Sequence, residues 1–183
     1  LSSAFHTTAA ALPMMRSAGW GRVINIASAH GLTASPYKSA YVAAKHGIVG
    51  LTKVTALETA REAITCNAIC PGYVLTPIVE AQIPDQMKTH GMSREDVIAK
   101  VMLARQPSGE FATVEEMGGT AVFLASRASD YVNGAIIPVD GGPPRYAGLG
   151  EADLNWWRWV NDDWLVIGID PAPRQVSPVA KLG

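Results

Sequence analysis

The 183-residue sequence has no excess of charge of either sign and no long apolar run. Its formal net charge is -1, so electrostatics give no reason to expect a nucleic acid or an anionic membrane as a partner. No apolar run approaches the roughly 20 residues that a membrane-spanning helix needs. The opening residues lack the basic stretch of a signal peptide. We therefore expect a cytoplasmic protein that binds neither nucleic acid nor membrane.

Cysteine is also scarce. The two cysteines, Cys66 and Cys70, are separated by three residues, which is not the CxxC spacing common in zinc and redox sites. Both flank an apolar segment. We predict two buried thiols that form no disulfide, a reducing compartment and no metal site.

Helical patterns alternate with short apolar runs rich in β-branched residues. Continuous apolar strands separated by helices are typical of parallel βαβ units. The sequence therefore predicts an α/β fold with a doubly wound, Rossmann-like parallel sheet. This sheet is incomplete, because about three strands are too few for such a fold. The expected helices cover 3–18, 39–62 (with Ser39 as N-cap), 78–105 (with a polar break at 89–93) and 114–126, and the expected strands cover 22–27, 64–69 and 135–139.

The composition changes after Gly142. Residues 143–183 contain four of the five tryptophans and many prolines, and within them the run DWLVIGID at 163–170 is typical of a strand. We expect two regions, an α/β region at 1–142 and an atypical tail at 143–183. The tail is a fused segment, a partner-binding tail or the product of a shifted reading frame, and its composition favours the last.

Two tyrosines lie four residues apart in the segment SPYKSAYVAAKHG. Tyr41 and Lys45 stand at positions i and i+4 of the predicted helix and therefore share one face. A nearby ammonium stabilises the phenolate form of a tyrosine, which makes Tyr41 a candidate acid/base near neutral pH. Tyr37 has no lysine at that spacing and is predicted to pack in the loop after Pro36. A YxxxK pair alone also occurs on solvated helix faces. The neighbouring motifs therefore decide whether Tyr41 is interpreted as a reactive residue or as a surface residue.

Two of those motifs follow predicted strands, where parallel sheets place their ligands. Ser28 follows the first strand and offers a hydroxyl to a substrate oxygen beside the reactive tyrosine; the alternative is a serine that caps a helix or turn. In PGYVLTP, Pro71 and Gly72 form a turn that lets backbone approach a ligand, and Thr76 offers a hydroxyl to a phosphate or amide. The alternative there is an ordinary turn between a strand and a helix.

Together these motifs resemble the short-chain dehydrogenase/reductase family. The matching segments are NIAS at 25–28, YVAAK at 41–45, NAICPG at 67–72 and DGG at 140–142. The resemblance covers residues 1–142 and implies a dehydrogenase whose cofactor, NAD, accepts a hydride. It implies that Ser28 binds the reacting oxygen, that Tyr41 transfers its proton, and that Lys45 assists Tyr41 and holds the nicotinamide ribose. The residues implied to border the cofactor are Tyr41, Lys45, Pro71, Gly72, Val74 and Thr76.

Longer phrases, among them LSSAFHTTAAALP and KSAYVAAKHG, resemble family members that oxidise D-3-hydroxybutyrate to acetoacetate with NAD. A small hydroxy acid needs its carboxylate held away from the reacting carbon, and a cation with hydrogen-bond donors suits that purpose. The resemblance implies that His30, Lys38 and Gln82 bind the carboxylate; His30 or Lys38 alone is equally typical of a surface loop. Two positions, Tyr73 and Pro143, depart from the tryptophans of the family.

The glycine-rich pyrophosphate loop of the family has no counterpart here, because GGPPRYAGLG at 141–150 is interrupted by proline and opens no helix. The resemblance implies that the N-terminal half of the domain is missing, so we expect weak NAD binding by this chain alone. It also implies a homotetramer packed through residues 1–18 and 39–62. Two alternatives stay open. One is another short-chain reductase, such as a 3-oxoacyl reductase, and the other is a truncated inactive remnant or interaction subunit.

Overall fold

The computed structural model describes residues 1–142, which form a three-stranded parallel sheet with helices between its strands. This confirms the predicted α/β class and the incomplete parallel sheet. The tail at 143–183, with the strand predicted at 163–170, lies outside the described residues. The elements are α1 (Ser2–Ala18), β1 (Gly21–Ile26), α2 (Ser39–Glu58), β2 (Ile64–Pro71), α3 (Pro77–His90), α4 (Arg94–Val97), α5 (Val114–Ala125) and β3 (Ile136–Val139), with 3₁₀ turns at Ala29–Gly31 and Arg127–Ser129 and a π-helical turn at Ile98–Met102.

Strand β2 is the centre of the sheet. It pairs with β1 from Gly21 opposite Ile64 and with β3 from Ala68 opposite Ile136. Every β2 residue except Pro71 is buried, which explains why its sequence is apolar without alternation. Within residues 1–142, β1 pairs with β2 alone, so the other edge of β1 is unpaired there.

Helix α2 covers one face of this sheet. Ile48 and Val49 of the helix pack against Ala27, Ala68 and Cys70. Alternate residues of a strand point to the same face, so Cys66 lies on this side as well, where the Asn25 side chain approaches its sulfur.

Both cysteine side chains are buried thiols, as predicted. Burial raises the pKa of the Cys66 thiol to about 11. The thiol is therefore protonated at neutral pH and is a poor nucleophile.

Three local expectations at the ends of α2 were wrong. The N-cap is Lys38, which makes no side-chain capping bond, so Ser39 is already helical. Tyr37 has φ 63° and a fully exposed ring, so it does not pack in the loop. The helix ends at Glu58 rather than 62, where the buried Thr59 hydroxyl donates to the Thr55 carbonyl.

The predicted helix at 78–105 is also divided. Helix α3 begins at Pro77 and ends at His90, because Gly91 adopts the left-handed conformation with φ 62°. A new helix then starts after Ser93, whose hydroxyl accepts from the Asp96 N–H. The polar break expected at 89–93 is therefore a true helix boundary.

Gly31 sets how closely the first 3₁₀ turn approaches α2. A Cβ at Gly31 would lie 3.0 Å from the Lys45 carbonyl oxygen and 3.1 Å from a Val49 methyl carbon. We expect Gly31→Ala to lower the free energy of unfolding by about 1–3 kcal/mol, because the backbone must shift. Urea unfolding measures this. At Gly50 of the same helix a Cβ meets nothing within 4 Å, so the control Gly50→Ala should stabilise by about 0.5–1 kcal/mol. Equal losses at both positions would contradict the packing argument.

Candidate active site

The candidate site lies at the carboxyl end of β1. The ladder continues one residue beyond the strand, because the Ala27 N–H donates to the Ile69 carbonyl at 2.8 Å. The Lys45 ammonium donates to the carbonyl oxygen of Ile26 at 3.0 Å. This bond joins the first turns of α2 to the end of the strand, where parallel sheets bind ligands.

Tyr41 lies between a lysine and a histidine. The Lys45 Nζ is 5.6 Å from the centroid of the Tyr41 ring, so the two side chains share a helix face as the i, i+4 spacing predicted. On the other side the His30 ring meets the tyrosine ring edge to face, with centroids 5.8 Å apart. Tyr41 is nevertheless 47% exposed, which leaves it accessible to a substrate.

Ser28 is both a cap and a candidate substrate ligand. It is buried, and its Oγ accepts a hydrogen bond from the His30 N–H at 3.1 Å, which caps the 3₁₀ turn. This matches the capping alternative in the sequence. The functional interpretation remains a prediction, since a hydroxyl that accepts one bond still has its own O–H to donate. The ring of His30, two residues further on, contacts Tyr41, so the turn that Ser28 caps lies against the tyrosine.

His30 lies in a positive environment. Burial, the Lys38 ammonium and the Arg105 guanidinium together hold the pKa of His30 below its ordinary value. His30 is therefore neutral at pH 7 and acts as a hydrogen-bonding group rather than as a cation. Its Nε2 lies 2.9 Å from the Ser35 hydroxyl. Lys38 and Arg105 therefore both act electrostatically on His30, and the binding of a carboxylate by His30 and Lys38 stays a prediction.

The sequence analysis missed Arg105 because it lies 75 positions after His30, beyond strand β2. Gln82 behaves differently. It is exposed on α3, and among residues 1–142 its side chain makes no hydrogen bond. The structure does not join it to His30 or Lys38, so its role in binding the carboxylate stays a prediction.

The segment after β2 is tightly held. The Gly72 N–H donates to the Val139 carbonyl at 3.0 Å, and the Leu75 N–H donates to Ala112 at 2.9 Å. Val74 also forms a parallel bridge with Ala112.

Helix α3 starts from this segment. Its N-cap is Thr76, whose hydroxyl accepts from the Val79 N–H at 3.3 Å. As with Ser28, capping uses the hydroxyl as an acceptor and leaves its O–H to donate.

Gly72 permits a close approach within the chain itself. A Cβ at Gly72 would lie 2.6 Å from Oε1 of Gln106 and 2.8 Å from the Asp140 Cα. Gly72 therefore lets the turn pack against the DGG segment. Pro71, predicted to open the turn, is the last residue of β2.

The donor groups fit the nicotinamide end of a dinucleotide. An ammonium has three N–H donors, and Lys45 uses one of them on Ile26, which leaves two for ribose hydroxyls. The Tyr41 hydroxyl adds another donor on the exposed side. In the described part of the chain, no group of three His, Cys, Asp or Glu side chains is placed to bind a metal ion, and none of the helices there is long and apolar enough to cross a membrane.

The fold is a parallel α/β sheet, and its candidate site places a tyrosine beside a lysine at the carboxyl end of β1. Comparison with known proteins specifies the class further. Residues 1–143 match the family model described as "Enoyl-(Acyl carrier protein) reductase". The chain belongs to the short-chain dehydrogenase/reductase family.

Two curated relatives are D-beta-hydroxybutyrate dehydrogenases, from Rhizobium meliloti and from Cupriavidus necator. Each is 58% identical over 142 residues, which cover 78% of this chain and 55% of the relative. A similar solved structure is a candidate 2-deoxy-D-gluconate 3-dehydrogenase from Agrobacterium tumefaciens with bound NADP. It is 40% identical, with a TM-score of 0.68, over 78% of this chain and 54% of that one. The chain therefore spans about half the length of the curated relatives that it matches.

Proposed function

We propose that the protein containing this chain oxidises D-3-hydroxybutyrate to acetoacetate with NAD. The observation that carries the proposal is the placement of Tyr41 beside Lys45, which is itself bonded to the end of β1. The identity of 58% to two D-beta-hydroxybutyrate dehydrogenases supports the choice of substrate.

Tyr41 and Ser28 would both act on the substrate hydroxyl, one as proton acceptor and the other as hydrogen-bond donor. The Tyr41 phenolate accepts the proton of the C3 hydroxyl, and the Ser28 hydroxyl donates to the same oxygen. The backbone bond from His30 uses Ser28 Oγ as an acceptor, which leaves the Ser28 O–H available to donate to the substrate. Lys45, whose ammonium lies beside the tyrosine ring, would assist Tyr41 in the proton transfer.

Cofactor binding falls to the residues at the carboxyl ends of β1 and β2. Tyr41 and Lys45 would donate to the nicotinamide ribose. Pro71, Gly72, Val74 and Thr76 would border the nicotinamide. When bound, NAD supplies the acceptor for the hydride that leaves C3.

The substrate carboxylate would bind beside His30, within reach of the positive charge of Lys38 that acts on it. The positive charges of Lys38 and Arg105, which act on His30, also favour an anion there. A carboxylate beside His30 would raise the pKa of its imidazole from the lowered value, because a negative charge stabilises the imidazolium. Gln82, on α3, would add a hydrogen-bond donor.

A homotetramer is also proposed. Helices α1 and α2 expose large apolar side chains that a partner subunit would cover. These are Phe5, Met14, Val54 and Leu57.

The tyrosine assignment is tested by Tyr41→Phe. Without the phenolic oxygen there is no acceptor for the substrate proton, so kcat should fall at least about 100-fold. The affinity for NAD, measured by titration, should fall by no more than about tenfold, the equivalent of the one hydrogen bond to the ribose that Tyr41 would lose. Tyr37→Phe is the matched control, since Tyr37 is exposed and outside the site. Activity of the Tyr41 variant near the control level would remove Tyr41 from the mechanism.

The substrate assignment is tested by Lys38→Ala. Loss of a charged hydrogen bond to the carboxylate should raise KM for 3-hydroxybutyrate by roughly 10-fold or more. KM for a secondary alcohol without a carboxylate should be unchanged. Lys53, on the exposed side of α2, provides the control Lys53→Ala. An unchanged KM in the Lys38 variant would favour a different short-chain reductase, such as a 3-oxoacyl reductase.

A further inference from the structure

Gln106 is a buried amide that joins three separate segments. Its side chain is 7% exposed. Its Oε1 accepts from the Tyr73 N–H at 3.0 Å, and its Nε2 donates to the Glu110 carbonyl. Both ends of the amide are therefore satisfied by backbone, as a buried amide requires. Neither contact is predictable from the sequence motifs.

The same side chain fills the space between two glycines. Its Oε1 lies 2.6 Å from where a Cβ of Gly72 would be, and its Cγ lies 3.0 Å from where a Cβ of Gly141 would be. The next loop residues continue the contact, because the Ser108 N–H donates to the Gly141 carbonyl at 3.1 Å. Gln106 therefore packs between the turn after β2 and the DGG segment after β3.

The hydrogen bond from Tyr73 to Gln106 lies in the middle of the turn after β2, between two N–H groups that are bonded to backbone carbonyls. In the turn after β2, the N–H of Gly72 is held by β3 and that of Leu75 by Ala112. Tyr73 lies between them, and its N–H is held by the Gln106 side chain. Removing the amide would leave this one N–H of the turn without its acceptor, while the flanking backbone bonds persist.

We propose that Gln106 is a positioning residue that fixes the turn at 71–76 for the nicotinamide end of the cofactor, and that it acts through the Tyr73 N–H. This rests on the proposed function, in which that turn borders NAD. The Gln106 side chain is hydrogen-bonded to Tyr73 and Glu110 rather than to Tyr41 or Lys45, so we expect it to affect cofactor binding without taking part in proton transfer.

The first test is Gln106→Met, which keeps the approximate size of the side chain and removes both hydrogen bonds. KM for NAD should rise about three- to tenfold, the equivalent of one lost hydrogen bond, while kcat changes less than about twofold. Hydrogen exchange of the Tyr73 amide should speed up by a similar factor. Exchange within β2 should not change.

The matched control is Thr59→Val. It also removes a buried side-chain hydrogen bond, the one to the Thr55 carbonyl, but at the far end of α2. General destabilisation would affect both variants, so a raised KM for NAD in both would overturn the positioning role. A second variant, Gln106→Glu, guards against a Met variant that fails to fold. The carboxylate introduced in this variant keeps an acceptor for the Tyr73 N–H. Its protonation restores a donor to the Glu110 carbonyl, so the increase in KM for NAD over that of the unsubstituted protein should become smaller as the pH is lowered.

Failure of this proposal and failure of the proposed function are distinguishable. If the unsubstituted protein oxidises the substrate and Gln106→Met leaves KM for NAD unchanged, the positioning role is wrong. If the unsubstituted protein shows no dehydrogenase activity, the proposed function fails. Amide exchange then decides whether Gln106 fixes the turn, and unchanged exchange at Tyr73 overturns that as well.

Discussion

The hydrogen bond from the Lys45 ammonium to the Ile26 carbonyl joins helix α2 to the end of strand β1. The lysine side chain thereby keeps its charge beside the Tyr41 ring. Because Ile26 sits at the carboxyl end of the strand, the tyrosine faces the edge where a parallel sheet binds ligands. The packing of Gly31 against the Lys45 carbonyl holds the serine turn against the same helix. The positions of Ser28, His30 and Tyr41 all depend on this junction.

A second junction organises the other half of the site. The carboxyl ends of β2 and β3 meet where Gly72 bonds to Val139, and the Gln106 side chain fills the space beside them. The first junction places the groups that are proposed to act on the proton. The second shapes the turn proposed to border the cofactor. The two meet because β1 and β3 both pair with β2.

Local patterns predicted the elements well. β2 was recognisable because burial on both faces makes a strand continuously apolar, and the Tyr41–Lys45 pair because helical spacing fixes their shared face. The end of α2 was less predictable, because Thr59 ends the helix through a side-chain bond that a helical pattern does not encode. The exposed, left-handed Tyr37 likewise followed no propensity.

Contacts between distant segments were the hardest to foresee. Arg105 and Gln106 follow a π-helical turn at Ile98–Met102, and their partners His30 and Tyr73 lie in other segments. No spacing rule connects residues so far apart in sequence, since only the folded sheet brings them together. The motifs therefore predicted the candidate chemical groups, whereas Arg105 and Gln106 could be found only in the folded structure.

The central claim is that this site removes a hydride from C3 of D-3-hydroxybutyrate while Tyr41 takes the hydroxyl proton. The most direct test incubates the protein containing this chain with NAD and D-3-hydroxybutyrate deuterated at C3, and follows the label by mass spectrometry. The account predicts that the deuterium appears in NADH and that acetoacetate retains none from C3. NADH without the label, or no NADH at all under these conditions, would contradict it.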